Sequence, residues 1–188
     1  DTRLCPALLA SQEPNLEGAD QPNKGCWQTV KSDTHSIIHL NRQIEKKVRE
    51  AGSSFYWAMR VLDAEKRRAM YAVYAFCREV DDIADGQDPE TKKLEELNKW
   101  RSEIAGVYAG KPKSYIGSAL QLAVTRHQLQ KADFLAIIDG MEMDAPEHLQ
   151  ITDRADLELY CDRVACAVGR LSNAICGIAP EDGDILAK

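Results

Sequence analysis

Long apolar runs are what this sequence most clearly lacks. No stretch approaches the roughly 18 residues that cross a bilayer, and the N-terminus has no basic segment leading into an apolar core. The expectation is a cytoplasmic protein without a transmembrane helix. Positive charge is also scarce, 24 Lys and Arg against 30 Asp and Glu, for a net charge of -6. The one basic cluster, Lys66, Arg67 and Arg68, is too short to build a phosphate-backbone surface, so nucleic acid is excluded as a partner. Paired cysteines are missing too. Cys5, Cys26, Cys77, Cys161, Cys166 and Cys176 form no CxxC. Four of them lie in segments that read as apolar helices, which suggests buried free thiols in a reducing compartment and not a disulfide framework or zinc site. No segment alternates with period two long enough to propose a sheet, and the fold class that remains is all-α.

What is present is a series of helical stripes. Residues 1–35 carry Pro6, Pro14, Pro22, Gly18 and Gly25 among polar residues without a period, and read as a disordered or loosely held arm before a domain over 36–188. From Thr34, Ile37, Leu40, Ile44 and Val48 recur at helical spacing until Gly52. The run SSFYWAMRVL follows, with Phe55, Tyr56 and Trp57 as large surfaces to bury. Ser53 and Ser54 stand at a helix start, where hydroxyls and N–H groups can meet an anion. Asp63 is a candidate N-cap for the next helix and Gly86 its stop. Asp88 and Pro89 open another helix as cap and first residue, and Gly110 with Pro112 closes it. Ile116–Leu129 and Phe134–Met143 come next. FLAIIDGMEM is apolar nearly all round, which places it in the middle of the fold. A last helix opens at Asp153 and carries the stripe Tyr160, Val164, Val168, Leu171 and Ile175.

The chemistry is concentrated in YAVYAFCREVDDIAD, Tyr71–Asp85. Helical spacing gathers Arg78, Asp81, Asp82 and Asp85 on one face and Val73, Phe76, Val80 and Ile83 on the other. A solvated surface would intersperse lysines among such acids. Like charges at i,i+4 disfavour a helix by about 0.2–0.5 kcal/mol per pair, and Asp81 and Asp85 have no lysine partner on the face. Clustered carboxylates suit a hard cation such as Mg2+, which shares its shell with waters and substrate phosphates. A metal–diphosphate site is expected, with Asp81, Asp82 and Asp85 as metal ligands.

Four motifs in order carry a resemblance to the squalene and phytoene synthase family: GSSFYWAMRVL (52–62), YAVYAFCREVDDIAD (71–85), DGMEMD (139–144) and LYCDRVACAVGRL (159–171). It covers residues 36–188, and within the family the wording is closest to the bacterial presqualene branch of hopanoid synthesis. The resemblance implies an isoprenoid synthase-type helical bundle around a central cavity. It also implies a transferase that joins two prenyl diphosphates head to head, farnesyl diphosphate in the squalene branch, through a cyclopropylcarbinyl diphosphate. Asp81, Asp85, Arg78 and Tyr160 would be catalytic. Ser53, Ser54, Phe55, Tyr74, Val164, Val168 and Gly169 would contact substrate. Mg2+ is the implied cofactor, with NADPH only if the intermediate is reduced, and greasy products imply peripheral membrane contact.

The family's second aspartate-rich motif would fall beyond Lys188, and the chain does not begin with Met. The expectation is therefore a fragment with one jaw of the metal clamp and little activity by itself. Three other readings stand beside this one. A phytoene synthase would use geranylgeranyl diphosphate, a non-catalytic assembly protein on the same scaffold would have no use for the acid face, and a terpene cyclase would ionise a single prenyl unit.

Overall fold

The structure, a computed structural model, describes residues 24–147 and 151–178, with side chains from residue 36 onward. Contacts divide the chain into a unit Asp1–His35 and a unit Ser36–Lys188, and the site lies within the second. Every element among the described residues is helical: α1 (Lys24–Glu50), α2 (Phe55–Arg60), α3 (Ala64–Ala84), α4 (Glu90–Tyr108), α5 (Tyr115–His127), α6 (Lys131–Asp144), α7 (Arg154–Cys161), a π turn (Asp162–Cys166) and α8 (Ala167–Cys176). The first helix begins at Lys24, ahead of the Thr34 that periodicity suggests. Residues 1–23 of the expected arm lie outside the described residues.

Local chemistry sets the helix starts. Asp63 Oδ1 accepts from the N–H groups of Glu65 and Lys66, both at 3.0 Å, and opens α3. Ser114 does the same for α5 through Gly117, and Asp153 for α7 through Asp156. The Asp88–Pro89 reading is one residue early. Pro89 is the cap of α4, and Asp88 holds Lys92 at 2.9 Å instead. The final helix is also not continuous, because the π turn interrupts it after Cys161.

Packing centres on α6, which meets α3, α4, α8 and the π turn. Its Phe134 ring lies edge-on to Phe76 of α3 at 5.4 Å, and Phe76 meets Trp100 of α4 at the same distance. Phe76, Phe134, Leu97, Ile138 and Leu171 are fully buried, each contributing about 1.5–3 kcal/mol. Two arginines brace this core. Arg101 of α4 binds Asp139 at 2.5 Å and Glu142 at 2.7 Å on α6, while Arg170 of α8 binds Asp133 of α6 at 2.6 Å and Asp162 of the π turn at 2.8 Å.

A third brace positions the site. The Lys93 ammonium donates to the carbonyls of Ala84 at 2.7 Å and Ala145 at 3.4 Å. It thereby ties together the C-terminal ends of α3 and α6, where unpaired carbonyls and the negative ends of both helix dipoles collect. The acids at the end of α3 and Asp144 at the end of α6 are brought to one place.

Two expectations need correction. Phe55 and Trp57 are 65% and 68% exposed, and of the three aromatics only Tyr56 is buried. A six-residue helix turns one narrow face to the core, and the Arg60 guanidinium lies over the outward Trp57 ring at 5.6 Å. The thiols are not uniformly buried either, since Cys161 and Cys176 are exposed. No helix among the described residues is long and apolar enough to cross a membrane.

Candidate active site

A cavity of about 320 Å³ opens between α2, α3, α6 and the π turn with α8. Ser53, Phe55, Tyr74, Arg78, Asp81, Val164 and Val168, seven of the sequence-derived site residues, line it together with Ala51, Cys77, Ile137 and Met141. Ser54, Asp82, Asp85, Tyr160 and Gly169 do not. Ser54 is exposed at the start of α2 and makes no side-chain cap, while Ser53 accepts from the Phe55 N–H at 3.2 Å.

The polar end of the cavity is the last turn and a half of α3. Arg78 donates to Asp81 at 2.9 Å and pairs with Asp82 at 2.6 Å. Asp81 is therefore not without a partner, as the absence of lysines had implied. One guanidinium nevertheless serves several carboxylates. Burial, then the negative charge of Asp85, and further those of Asp82 and Asp144, push the Asp81 carboxyl above its ordinary range against the pull of Arg78. The Asp144 carboxyl is also raised, by burial and by Asp85.

Asp144 is the candidate site residue that sequence reasoning left out. It faces the α3 acids from α6 and accepts a hydrogen bond from the Tyr160 hydroxyl at 3.0 Å. Burial and that bond push the Tyr160 hydroxyl up to about 12, so it stays protonated and donates. The signal was present in the spacing of Ile137, Met141 and Asp144. Positions i, i+4 and i+7 share a helix face, here one with apolar cavity wall at one end and carboxylate at the other. A cysteine in the wall, Cys77, has its thiol pushed up to about 12 by burial and by Asp81. It lines the cavity as a neutral group, without thiolate character.

Among the described residues no three His, Cys, Asp or Glu side chains converge closely enough to cage a metal ion. Mg2+ does not need such a cage where one or two carboxylates act with substrate phosphates and water. Asp81 and Asp85, in a place with excess negative charge, fit that mode and not a site built from protein alone. A cavity of mixed lining, apolar along the α6 and α8 wall and polar at the end of α3, suits a ligand that has an apolar chain and a phosphorylated head.

The chain is similar to known proteins over most of its length. The family model described as squalene/phytoene synthase matches residues 48–187. The chain is 50% identical over 132 residues to the presqualene diphosphate synthase of Rhodopseudomonas palustris, covering 70% of this chain and 47% of that protein. Against the chloroplastic phytoene synthase of Narcissus pseudonarcissus the identity is 32% over 132 residues, 70% of this chain and 31% of that one. The crystal structure of a dehydrosqualene synthase in complex with ligand superposes with a TM-score of 0.69 at 27% identity, over 80% of this chain and 53% of that chain. The chain spans about half the length of the presqualene diphosphate synthases it matches. On the family model's match over residues 48–187, most of its length, the chain belongs to the squalene/phytoene synthase family.

Proposed function

We propose that the site serves a head-to-head prenyl transferase that condenses two farnesyl diphosphates to presqualene diphosphate. The observation that carries this reading is the union, in one cavity, of Arg78 and Asp81 at one end with Tyr74, Ile137, Met141, Val164 and Val168 along the wall. Asp81 and Asp85 are the residues that would hold Mg2+, with Asp144 of α6 adding negative charge nearby. When bound with a prenyl diphosphate, that ion offsets negative charge on the departing diphosphate. Arg78 adds a fixed positive charge at the same end and orients Asp81 and Asp82. The apolar wall keeps water from the allylic carbon, where it would compete with the second substrate's double bond. Tyr160 keeps its proton and fixes the carboxylate of Asp144.

The higher identity to presqualene diphosphate synthase than to phytoene synthase supports farnesyl over geranylgeranyl diphosphate as substrate. A cytoplasmic enzyme in peripheral contact with a bilayer belongs to the same proposal, supported by exposed Phe55, which lines the cavity, and by exposed Trp57 and Val61 on the same short segment. The test is calorimetric titration of the 188-residue chain with farnesyl thiodiphosphate, an analogue slow to ionise. Mg2+-dependent binding that disappears in Asp81→Ala is expected. Absent or metal-independent binding would point to a non-catalytic scaffold and end the proposal.

A further inference from the structure

Gly140 lies on α6 between Ile137 and Met141, two residues of the cavity wall, and is itself buried. Both Arg163 and Val164 of the π turn pack over it. A Cβ built on Gly140 would sit 2.7 Å from Cγ1 of Val164 and 3.1 Å from Cβ of Arg163, with the Arg163 carbonyl carbon at 3.5 Å. Carbon atoms in contact settle at about 3.5–4.0 Å, so a single methyl group would require about 1 Å of movement at Val164.

Little else is free to move. The π turn is held to α6 by the Arg170 guanidinium, which bridges Asp162 and Asp133 at 2.8 and 2.6 Å. Arg163 is held at its far end by the Met143 sulfur at 3.2 Å. On the other side of α6, Phe134 and Ile138 are fully buried and cannot retreat without overpacking the core. The open side of Val164 is the cavity, which it lines. A β-branched side chain in a helix has one preferred rotamer, so Val164 yields by moving as a unit toward that space.

We infer that Gly140 is a positioning residue that seats Val164 against α6 and so sets the width of the cavity and the length of apolar chain it admits. The inference rests on the reading of this cavity as a prenyl site and adds to it the residue that gauges the chain. It is tested by titrating the 188-residue chain, in the presence of Mg2+, with the thiodiphosphate analogues of geranyl, farnesyl and geranylgeranyl diphosphate. In Gly140→Ala the ratio of affinities shifts toward the shorter chain by roughly tenfold, the scale set by a methylene-sized misfit in an apolar pocket. Val164→Ala alone shifts it the other way, and the double variant returns to within about threefold of the parent.

An unchanged chain-length ratio in Gly140→Ala, or a shift that Val164→Ala does not reverse, overturns the inference. Should Gly140→Ala fail to fold by circular dichroism, Val164→Leu carries the test, because it fills the same space from the other side. It must favour the shorter chain, and if it does not the inference is wrong. A parent chain that binds none of the three analogues removes the prenyl reading itself, and this inference with it.

Discussion

Two groups of acids flank the same helix and have opposite electrostatic fates. On the sides of α6, Asp133, Asp139 and Glu142, with Asp162 of the π turn, are matched by Arg170 and Arg101 at 2.5 to 2.8 Å. At its end, Asp144 joins Asp81, Asp82 and Asp85 of α3. There Arg78 is the only arginine paired with them among the described residues, and Asp81 and Asp144 are both driven toward their protonated forms. Acids matched by arginine across a helix interface hold the helices in register. Acids left in surplus beside a cavity are costly to the fold, and they are of use where a cation and an anionic ligand arrive together. The residue type is the same in both places, and the balance of neighbouring charge separates the structural braces from the candidate site.

That contrast can be broken most directly at Arg170. Arg170→Met leaves Asp133, whose side chain is 11% exposed, without its cation. Denaturant titration should show a loss of about 3–5 kcal/mol, the range for breaking a buried pair from one side. A loss below 1 kcal/mol or so would mean that the braces are no more than surface pairs. Asp81→Asn should do the reverse. It leaves the melting temperature unchanged or raised, while Mg2+-dependent affinity for farnesyl thiodiphosphate falls by on the order of 100-fold, the upper end for groups that support a metal site. Equal loss of stability in both variants would erase the distinction between the two groups.

Smaller effects sharpen it further. Tyr160→Phe removes the hydroxyl donor to the Asp144 carboxylate, and a hydrogen bond to a charged acceptor lost near the site should weaken analogue binding by roughly tenfold, about 1.5 kcal/mol. Loss of the fold instead would make Tyr160 a core residue. The smallest expected effect is on pH dependence. Asp81 and Asp144 hold protons more tightly folded than unfolded. Their contribution to stability is therefore full below the ordinary value of 3.8 and is lost as pH rises through their raised folded values. In chelator, the stability of Asp144→Asn relative to the parent should increase over that window, and Mg2+ with the analogue should close the gap. A difference that does not change with pH would contradict the surplus of charge at this end.

The acid face of α3 was legible because helical spacing is a local property. Arg78, Asp81, Asp82 and Asp85 fall on one side of any helix that contains them, and Asp63 and the stop before Gly86 mark its ends to within a residue or two. The central place of α6 was legible for a similar reason, since a segment apolar on all sides has nowhere else to lie. Phe55 and Trp57 were misread as core because hydrophobicity states the gain from burial but not which face a six-residue helix can turn inward. The π turn had no sequence signal that separates it from an α-helix, because the stripe from Tyr160 to Ile175 fits either. The arginine braces were invisible for want of a partner. Arg101 and Asp139 are 38 residues apart, and Arg170 and Asp133 are 37.

The sequence by itself determined the helical class, the ends of most helices, the apolar and acidic faces of α3, and the family through its ordered motifs. These follow from interactions within a few residues, whose geometry the helix repeat supplies in advance. Tertiary structure alone decided that Asp144 and Tyr160 face the α3 acids, that Cys77 is a neutral wall, and that Gly140 lets Val164 stand back from the cavity. Those outcomes depend on how α3, α6 and the π turn meet. Packing density and the pairing of charges across helices are properties of the assembled core, and no single segment encodes them.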